Sequence, residues 1–212
     1  DFLQVSATNQ KEMDKSFTTY DELLLATAYL YMKPWFGFHS TRLFAMGDAR
    51  GNNIYGDNNN ETGYAPYCLF TDKPNTPGLA DAWNSLYIVV TQADYIINDY
   101  APQGRQHFSE AQANACEGEA RFMRAAAYYY LASYWHDVPI MENPIAHTEA
   151  FNMAPTRFED VIRYGIRDLE YAAEWLPLAD ADGRVTRYSA LGLLARYYVT
   201  VSYTHLTLPT KR

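Results

Sequence analysis

With 212 residues, 48% of them hydrophobic and 20% charged, the chain is long enough to bury a core and too apolar for a disordered segment. A net charge of −8 without any Lys/Arg run excludes a nucleic-acid footprint, and no stretch approaches the roughly 20 apolar residues of a membrane-spanning helix. Two cysteines, Cys68 and Cys116, are too few for a disulfide framework and read as small buried hydrophobes. The outlier is 19 tyrosines beside 10 phenylalanines. Tyrosine joins an apolar face to a hydroxyl, which suits helix interfaces and polyhydroxylated ligands alike.

Residues 1–16 are polar and aperiodic, a leading segment. Thr18 or Thr19 can cap a first helix, with Asp21 and Glu22 in its first turn, where the helix dipole favours them. The apolar run Leu23, Leu24, Ala26, Ala28, Leu30 and Tyr31 must end before Pro34. Residues 35–78 are dense in Gly, Asn, Asp and Pro, so turns are expected. The aromatic residues in that stretch, from Trp35 and Phe36 to Tyr67 and Phe70, speak against disorder. It reads as an ordered loop excursion with room for short strands. Thr76-Pro77 forms an N-cap and first-turn pair for a second helix, whose 3–4 spacing runs through Ala80, Trp83, Tyr87, Val90, Asp94 and Ile97.

Ser109-Glu110-Ala111-Gln112 is a capping box that opens a third, central helix. Glu117 and Arg121 stand at i, i+4 in the favourable order for an ion pair. From Cys116 onward the helix is apolar on every face, as a buried helix must be, until it breaks at His136-Asp137-Val138-Pro139. Thr156-Arg157-Phe158-Glu159 is a second capping box, followed by the stripe Val161, Ile162, Ile166, Leu169 and Leu176, and Pro177 stops that helix. Thr186 is placed to cap a last helix carrying Ala190, Leu191, Leu194 and Tyr198.

Three groups of residues carry a family likeness. They are Glu119-x-Arg121-Phe122-x-Arg124-Ala125 with Tyr129-Tyr130 and Tyr134-x-x-Asp137-Val138-Pro139; Trp83-x-x-x-Tyr87-Ile88 with Ala93; and Asp168-Leu169 with Leu176-Pro177, then Gly183-Arg184-Val185-Thr186 and Leu193-Leu194-Ala195-Arg196-x-Tyr198. In combination they resemble the SusD/RagB family of outer-membrane nutrient-binding lipoproteins. Asp94 stands where that family usually has Asn, and His136 where it usually has Gly. Gly adopts positive φ freely and His does not, so the turn geometry is expected to differ.

The resemblance implies an all-α fold of tetratricopeptide-like helical pairs with a long irregular loop insertion. It further implies a lipid anchor just upstream of Asp1-Phe2-Leu3, a surface-exposed place on the cell outer membrane, and docking on a SusC-like TonB-dependent barrel. It implies capture of an oligosaccharide or other nutrient, without catalysis and without a cofactor. Family members are longer chains, so residues 1–200 read as a truncated N-terminal helical domain. The alternative is a tetratricopeptide-type scaffold that recognises protein only. Residues 201–210, VSYTHLTLPT, are what the end of a transposon adapter used in sequencing-library preparation encodes. Native sequence is therefore expected to end near Thr200, with 201–212 an adapter-derived tail.

The chemistry-bearing motifs of enzymes are missing: no G-x-S-x-G, H-E-x-x-H, C-x-x-C or P-loop occurs. Asp57-x-Asn59-x-Glu61 alternates oxygen ligands as calcium sites do, but Thr62 sits where an EF-hand needs Gly, and no metal is assigned. The functional region is expected in the loop 44–70. Sugars stack their C–H faces on aromatic rings while amides, carboxylates and guanidinium groups bond their hydroxyls. The candidates there are Asp48, Arg50, Asn53, Tyr55, Asp57, Asn58, Tyr64 and Tyr67. The family's corresponding insertion contributes to glycan binding, which carries over the region and not the residues. Tyr134 and Trp135, on the central helix, are expected in the core.

Overall fold

A computed structural model describes residues 17–32, 35, 37–55, 64–76, 78–143 and 153–205, excepting the side chains of 41 and 203–205. The helices are α1 (Tyr20–Tyr29), α2 (Ala65–Cys68), α3 (Leu79–Tyr95), α4 (Ala101–Gly104), α5 (Glu110–Trp135), α6 (Phe158–Trp175) and α7 (Arg187–His205). The fold is all-α. Helices α1, α3, α4, α6 and α7 all pack against α5, and α6 also pairs with α7. Among the described residues there is no strand, only an antiparallel bridge between Val138 and Thr156. Among its described residues, the loop read as having room for short strands contains two π-helical turns, Phe38–Arg42 and Ala45–Ala49, and the short α2. A third π-helical turn, Ile96–Tyr100, joins α3 to α4. Helix α7 runs to His205, past the expected end of native sequence, and residues 206–212 and 1–16 lie outside the described residues.

The caps decide where these helices begin. At α1, Thr19 is the cap: the Glu22 N–H donates to Thr19 Oγ1 at 3.4 Å and Thr19 N–H donates to Glu22 Oε2 at 3.0 Å. At α5, Ser109 Oγ accepts from Gln112 N–H at 3.3 Å, but Gln112 returns its amide oxygen to the Ser109 hydroxyl rather than to its backbone. Two expected caps are displaced. Thr76 Oγ1 is taken by the Lys73 N–H at 2.7 Å, and the residue preceding α3 is Gly78 at φ 90°. Glycine fits there because the Arg42 guanidinium fills the space a Cβ would need; Pro77 lies outside the described residues. At α6, Thr156 is held in the bridge, and the Phe158 N–H donates instead to Asp137 Oδ1 at 2.9 Å. The cap therefore comes from the turn that ends α5. That bond, with the neighbouring His136, holds the Asp137 carboxyl below its usual range. At α7, Ser189 Oγ accepts from the Thr186 N–H at 3.1 Å.

His136 takes the positive φ expected of glycine, at 67°. Its ring stacks on Phe158 at 4.9 Å and its Nδ1 lies 2.7 Å from Asp137 Oδ1, contacts that offset the backbone cost. The turn thus joins the end of α5 to the start of α6.

The interior of α5 departs from the apolar expectation. Glu117, Glu119 and Arg124 are all buried. Arg124 Nε and Nη2 donate to the two carboxylate oxygens of Asp168 at 2.8 and 2.7 Å, and Nη1 donates to Asp94. Arg121 bridges Glu117 and Asp168, at 2.7 and 2.9 Å, and Arg105 pairs with Glu117. Separately, Arg184 donates to Glu119, to Thr27 Oγ1 and to the Leu24 carbonyl, while the Tyr31 hydroxyl donates to Glu119 at 2.8 Å. Five of the residues carrying the family likeness, Glu119, Arg121, Arg124, Asp168 and Arg184, are thus ion-pair partners that, with Asp94, help fasten α1, α3, α6 and the turn before α7 onto α5. Buried charges persist only when paired in this way.

Where α6 meets α7, Gly165 permits the closest approach. A Cβ there would lie 2.6 Å from Tyr197 Cε1. Tyr197 is fully buried, and its hydroxyl donates to the Ala125 carbonyl at 2.6 Å, so the ring cannot retreat without breaking that bond. Alanine improves helix propensity by about 1 kcal/mol over glycine. Overpacking costs about 1–3 kcal/mol or more and has the larger effect here. Gly165→Ala is expected to lower the urea midpoint with an unchanged m-value, and a raised midpoint would refute the close-packing account.

Candidate functional site

The irregular loop does not lie flat on the core. Its first part is tied into a turn: the Asn53 and Ile54 N–H groups both donate to the Asp48 carbonyl, and the Asn53 amide donates to Asp48 Oδ1 at 3.4 Å. Its return strand of chain passes through α2 and reaches Asp72, which forms an ion pair with Arg50. The Arg50 guanidinium lies 5.6 Å from the ring centre of Phe70, itself exposed and at φ 53°. Between this loop and the helices is a cleft of about 840 Å³.

The loop side of the cleft is Arg50, Tyr67, Asp72 and Lys73. The helix side is Trp83 from α3 with Tyr134 and Trp135 from the end of α5. Trp83 meets Trp135 edge-on at 5.3 Å and tilts against Tyr87 at 4.8 Å, one turn along its own helix. The Tyr87 hydroxyl donates to the Pro139 carbonyl at 2.7 Å, fixing α3 to the turn after α5. Trp83, Tyr134 and Trp135 are each half-buried, with some ring surface left to the cleft. Aromatic walls with a few charged groups on one side suit a ligand that is apolar on its ring faces and polar at its edges.

Tyr67 is 1% exposed, and its hydroxyl has no hydrogen-bond partner among the described residues. Burial pushes its phenol above the ordinary value, while Arg42 and Arg50 pull it back in part. The hydroxyl therefore remains a proton donor at neutral pH.

Of the residues expected from sequence, the cleft brings together Arg50 and Tyr67. Asp48 lies in the turn just described, Asn53 is exposed beside it, and Tyr55 is 75% exposed on the far part of the loop. Tyr64 is half-buried against the core at the start of α2. Asp57 and Asn58, and the calcium candidate with Asn59 and Glu61, lie outside the described residues. The sequence reading did not select Trp83, Trp135, Tyr134, Asp72 or Lys73 for the site. Their usable signal was position: each tryptophan stands within the first or last turns of a helix that borders the loop.

Relatives of known structure share this arrangement of helices. One crystal structure is 34% identical and superposes with a TM-score of 0.79, covering 86% of this chain and 35% of that one. A second, solved with a xylogluco-oligosaccharide, is 33% identical with a TM-score of 0.72, covering 83% of this chain and 34% of that one. A SusD-like protein of Bacteroides ovatus is 34% identical over 191 residues, which cover 90% of this chain and 34% of that protein. The chain thus spans about a third of the length of these relatives. The sequence profile of the SusD-like_3 family, described as starch-binding and associating with the outer membrane, matches residues 1–199, and the chain belongs to this family.

Proposed function

We propose that this chain contributes to non-enzymatic glycan capture at the bacterial cell surface, within a lipid-anchored outer-membrane protein that passes its ligand to a TonB-dependent barrel. The observation that carries the reading is the aromatic cleft under the loop, where Trp83, Tyr134 and Trp135 face Arg50, Asp72 and Lys73. Indole and phenol faces stack on the C–H surfaces of sugar rings, and the charged groups bond the hydroxyls. A relative at 33% identity solved with a xylogluco-oligosaccharide supports the ligand class, and the description of the family supports the membrane. The barrel partner rests on the family likeness alone. A scaffold for protein partners gives no reason for a cleft rather than a groove along the helices.

The test is calorimetric titration of a xylogluco-oligosaccharide into the full chain and into two variants checked for fold by circular dichroism. Trp135→Ala is expected to weaken binding by about tenfold, the equivalent of about 1.4 kcal/mol. Tyr55→Ala asks whether the exposed end of the loop takes part. Full affinity in a folded Trp135→Ala variant would remove the cleft from the site.

A further inference from the structure

Helices α6 and α7 turn different surfaces to solvent. On α6 the exposed residues Glu159, Asp160, Arg163, Arg167, Glu170 and Glu174 are all charged, as a face turned to water should be. On α7 the exposed residues Tyr188, Leu191, Gly192, Ala195 and Val199 follow one another at helical spacing and carry no charge. Tyr188 and Val199 are each 66% exposed. Arg196 bounds this stripe on one side, lying over the Tyr129 ring at 5.0 Å. Tyr198 bounds it on the other, where its hydroxyl donates to Glu170 at 3.1 Å. The opposite face of α7, with Ala190 and Tyr197, is buried. Helix α7 is thus apolar on its inner and outer faces alike, which is the pattern of a helix packed from both sides.

The second observation is independent of polarity. Helices α5, α6 and α7 each contain a single glycine: Gly118, Gly165 and Gly192. Inside a helix glycine is less stable than alanine, so its presence there calls for a packing reason. Gly118 faces α6: a Cβ there would touch the Ala172 Cα at 3.6 Å and the Leu176 Cγ at 3.4 Å. Gly165 faces α7, where Tyr197 occupies the space. In both cases the glycine marks the place where the next helix along the chain crosses. Gly192, on the exposed stripe of α7, has nothing within 4 Å of such a Cβ among the described residues. It carries the conformational cost of the other two without a neighbour to justify it.

We infer that the outer face of α7 is the seat of a further helix of the same polypeptide, which crosses at Gly192 and Ala195 and covers Tyr188, Leu191 and Val199. The chain spans about a third of the length of its relatives, so a helix of this kind is available in a polypeptide of their size. From Tyr188 to Val199 the stripe is about 16 Å long, about three helical turns, which one helix of ordinary length covers. The partner presents an apolar edge, with a bulky side chain lodged against Gly192 as Tyr197 is lodged against Gly165. The order of stacking favours this occupant over a second copy of the chain. Helix α6 lies on α5 and α7 lies on α6. In a stacked helical array the terminal element has a polar outer face, and the outer face of α7 is not polar.

The experiment compares this 212-residue chain with the full-length protein encoded at its source locus, each carrying Val199→Cys or Gly192→Ala. Alkylation of the thiol introduced by Val199→Cys is followed by mass, with the unsubstituted proteins correcting for Cys68 and Cys116. The thiol is expected to react freely in the 212-residue chain and at least about tenfold more slowly in the full-length protein, where it is reached only by local opening. Gly192→Ala is expected to change the sign of its effect. It raises the urea midpoint of the 212-residue chain, where the added methyl meets open space, and lowers that of the full-length protein, where it meets the covering helix. Equally fast alkylation in the two proteins overturns the inference, and so does a midpoint raised in both. Slow alkylation already in the 212-residue chain shows that its own residues or a second copy cover the face, and overturns the inference as well. Sedimentation of that chain separates those two occupants, since only the second copy gives a dimer.

Discussion

Replacing Arg124 by methionine is expected to remove about 3–5 kcal/mol of stability, enough to unfold a large share of a protein of ordinary total stability, which is about 5–15 kcal/mol. Arg124 is 4% exposed and is shared by two carboxylates that are themselves buried, Asp94 and Asp168. Methionine matches the aliphatic length of the side chain, so the loss reflects charge and not cavity. Asp168 keeps Arg121 as a partner, but Asp94 keeps no ion pair among the described residues. Lysine is not expected to rescue the variant. One ammonium cannot reproduce a fork that meets both oxygens of Asp168 while a third nitrogen reaches Asp94. Adding Asp94→Asn to Arg124→Met is expected to recover part of the loss, because one uncompensated charge is removed. Urea unfolding of the single and double variants measures this, and strictly additive effects would contradict a shared network.

The second large effect is a pH dependence seated at Asp94. Burial pushes its carboxyl up from 3.8 to about 7, and Arg124 only partly opposes the shift. Its second oxygen, Oδ2, has no hydrogen-bond partner among the described residues. A carboxyl with a folded pKa above its unfolded value binds its proton more readily in the folded state. Its contribution is therefore fully present below about pH 4 and is lost as pH rises through about 7. Three pKa units correspond to a decline of about 4 kcal/mol across that window. Glu119 is shifted in the same direction, by burial first and against Arg184, so the wild-type curve contains both. The difference between wild type and Asp94→Asn isolates Asp94. That difference is expected to favour the asparagine variant increasingly as pH rises from about 4 to about 7 and to level off above it; a difference that stays flat with pH would refute the assignment.

Local rules in the sequence read well, and competition from distant residues was what they missed. The Thr19 cap and the Glu117–Arg121 pair involve near neighbours and stand as expected. The Thr156 box failed because Thr156 is held in the bridge with Val138, and a carboxylate about twenty residues earlier, Asp137, accepts from the Phe158 N–H at the start of the helix. Thr76 failed because its hydroxyl closed a turn onto Lys73 instead. The helices of the fold were legible from periodicity and from the family likeness, but the partners of Arg124 and Arg184 were not. Those pairs join residues 30 to 65 positions apart, and nothing in a one-dimensional pattern says which acid meets which base. The site was partly legible for the same reason. Composition pointed to the loop, which supplies Arg50 and Tyr67, whereas Trp83 and Trp135 follow helical spacing and read as core. Only the folded arrangement reveals that Trp83, in the second turn of α3, and Trp135, at the end of α5, both border the cleft and are only half-buried.

Arg184 has a consequence for the order in which the chain can fold. Its guanidinium reaches back 157 residues to Thr27 and 65 to Glu119. A chain synthesised at about 5–20 residues per second presents α1 and the first half of α5 for several seconds before Arg184 exists. Through that interval Glu119 has, among the described residues, only the Tyr31 hydroxyl to hold it, and α1 lacks the fastening at Leu24 and Thr27. The earliest helix is therefore among the last to be secured, and a nascent chain halted before residue 184 exposes a half-built core to any binding chaperone or protease.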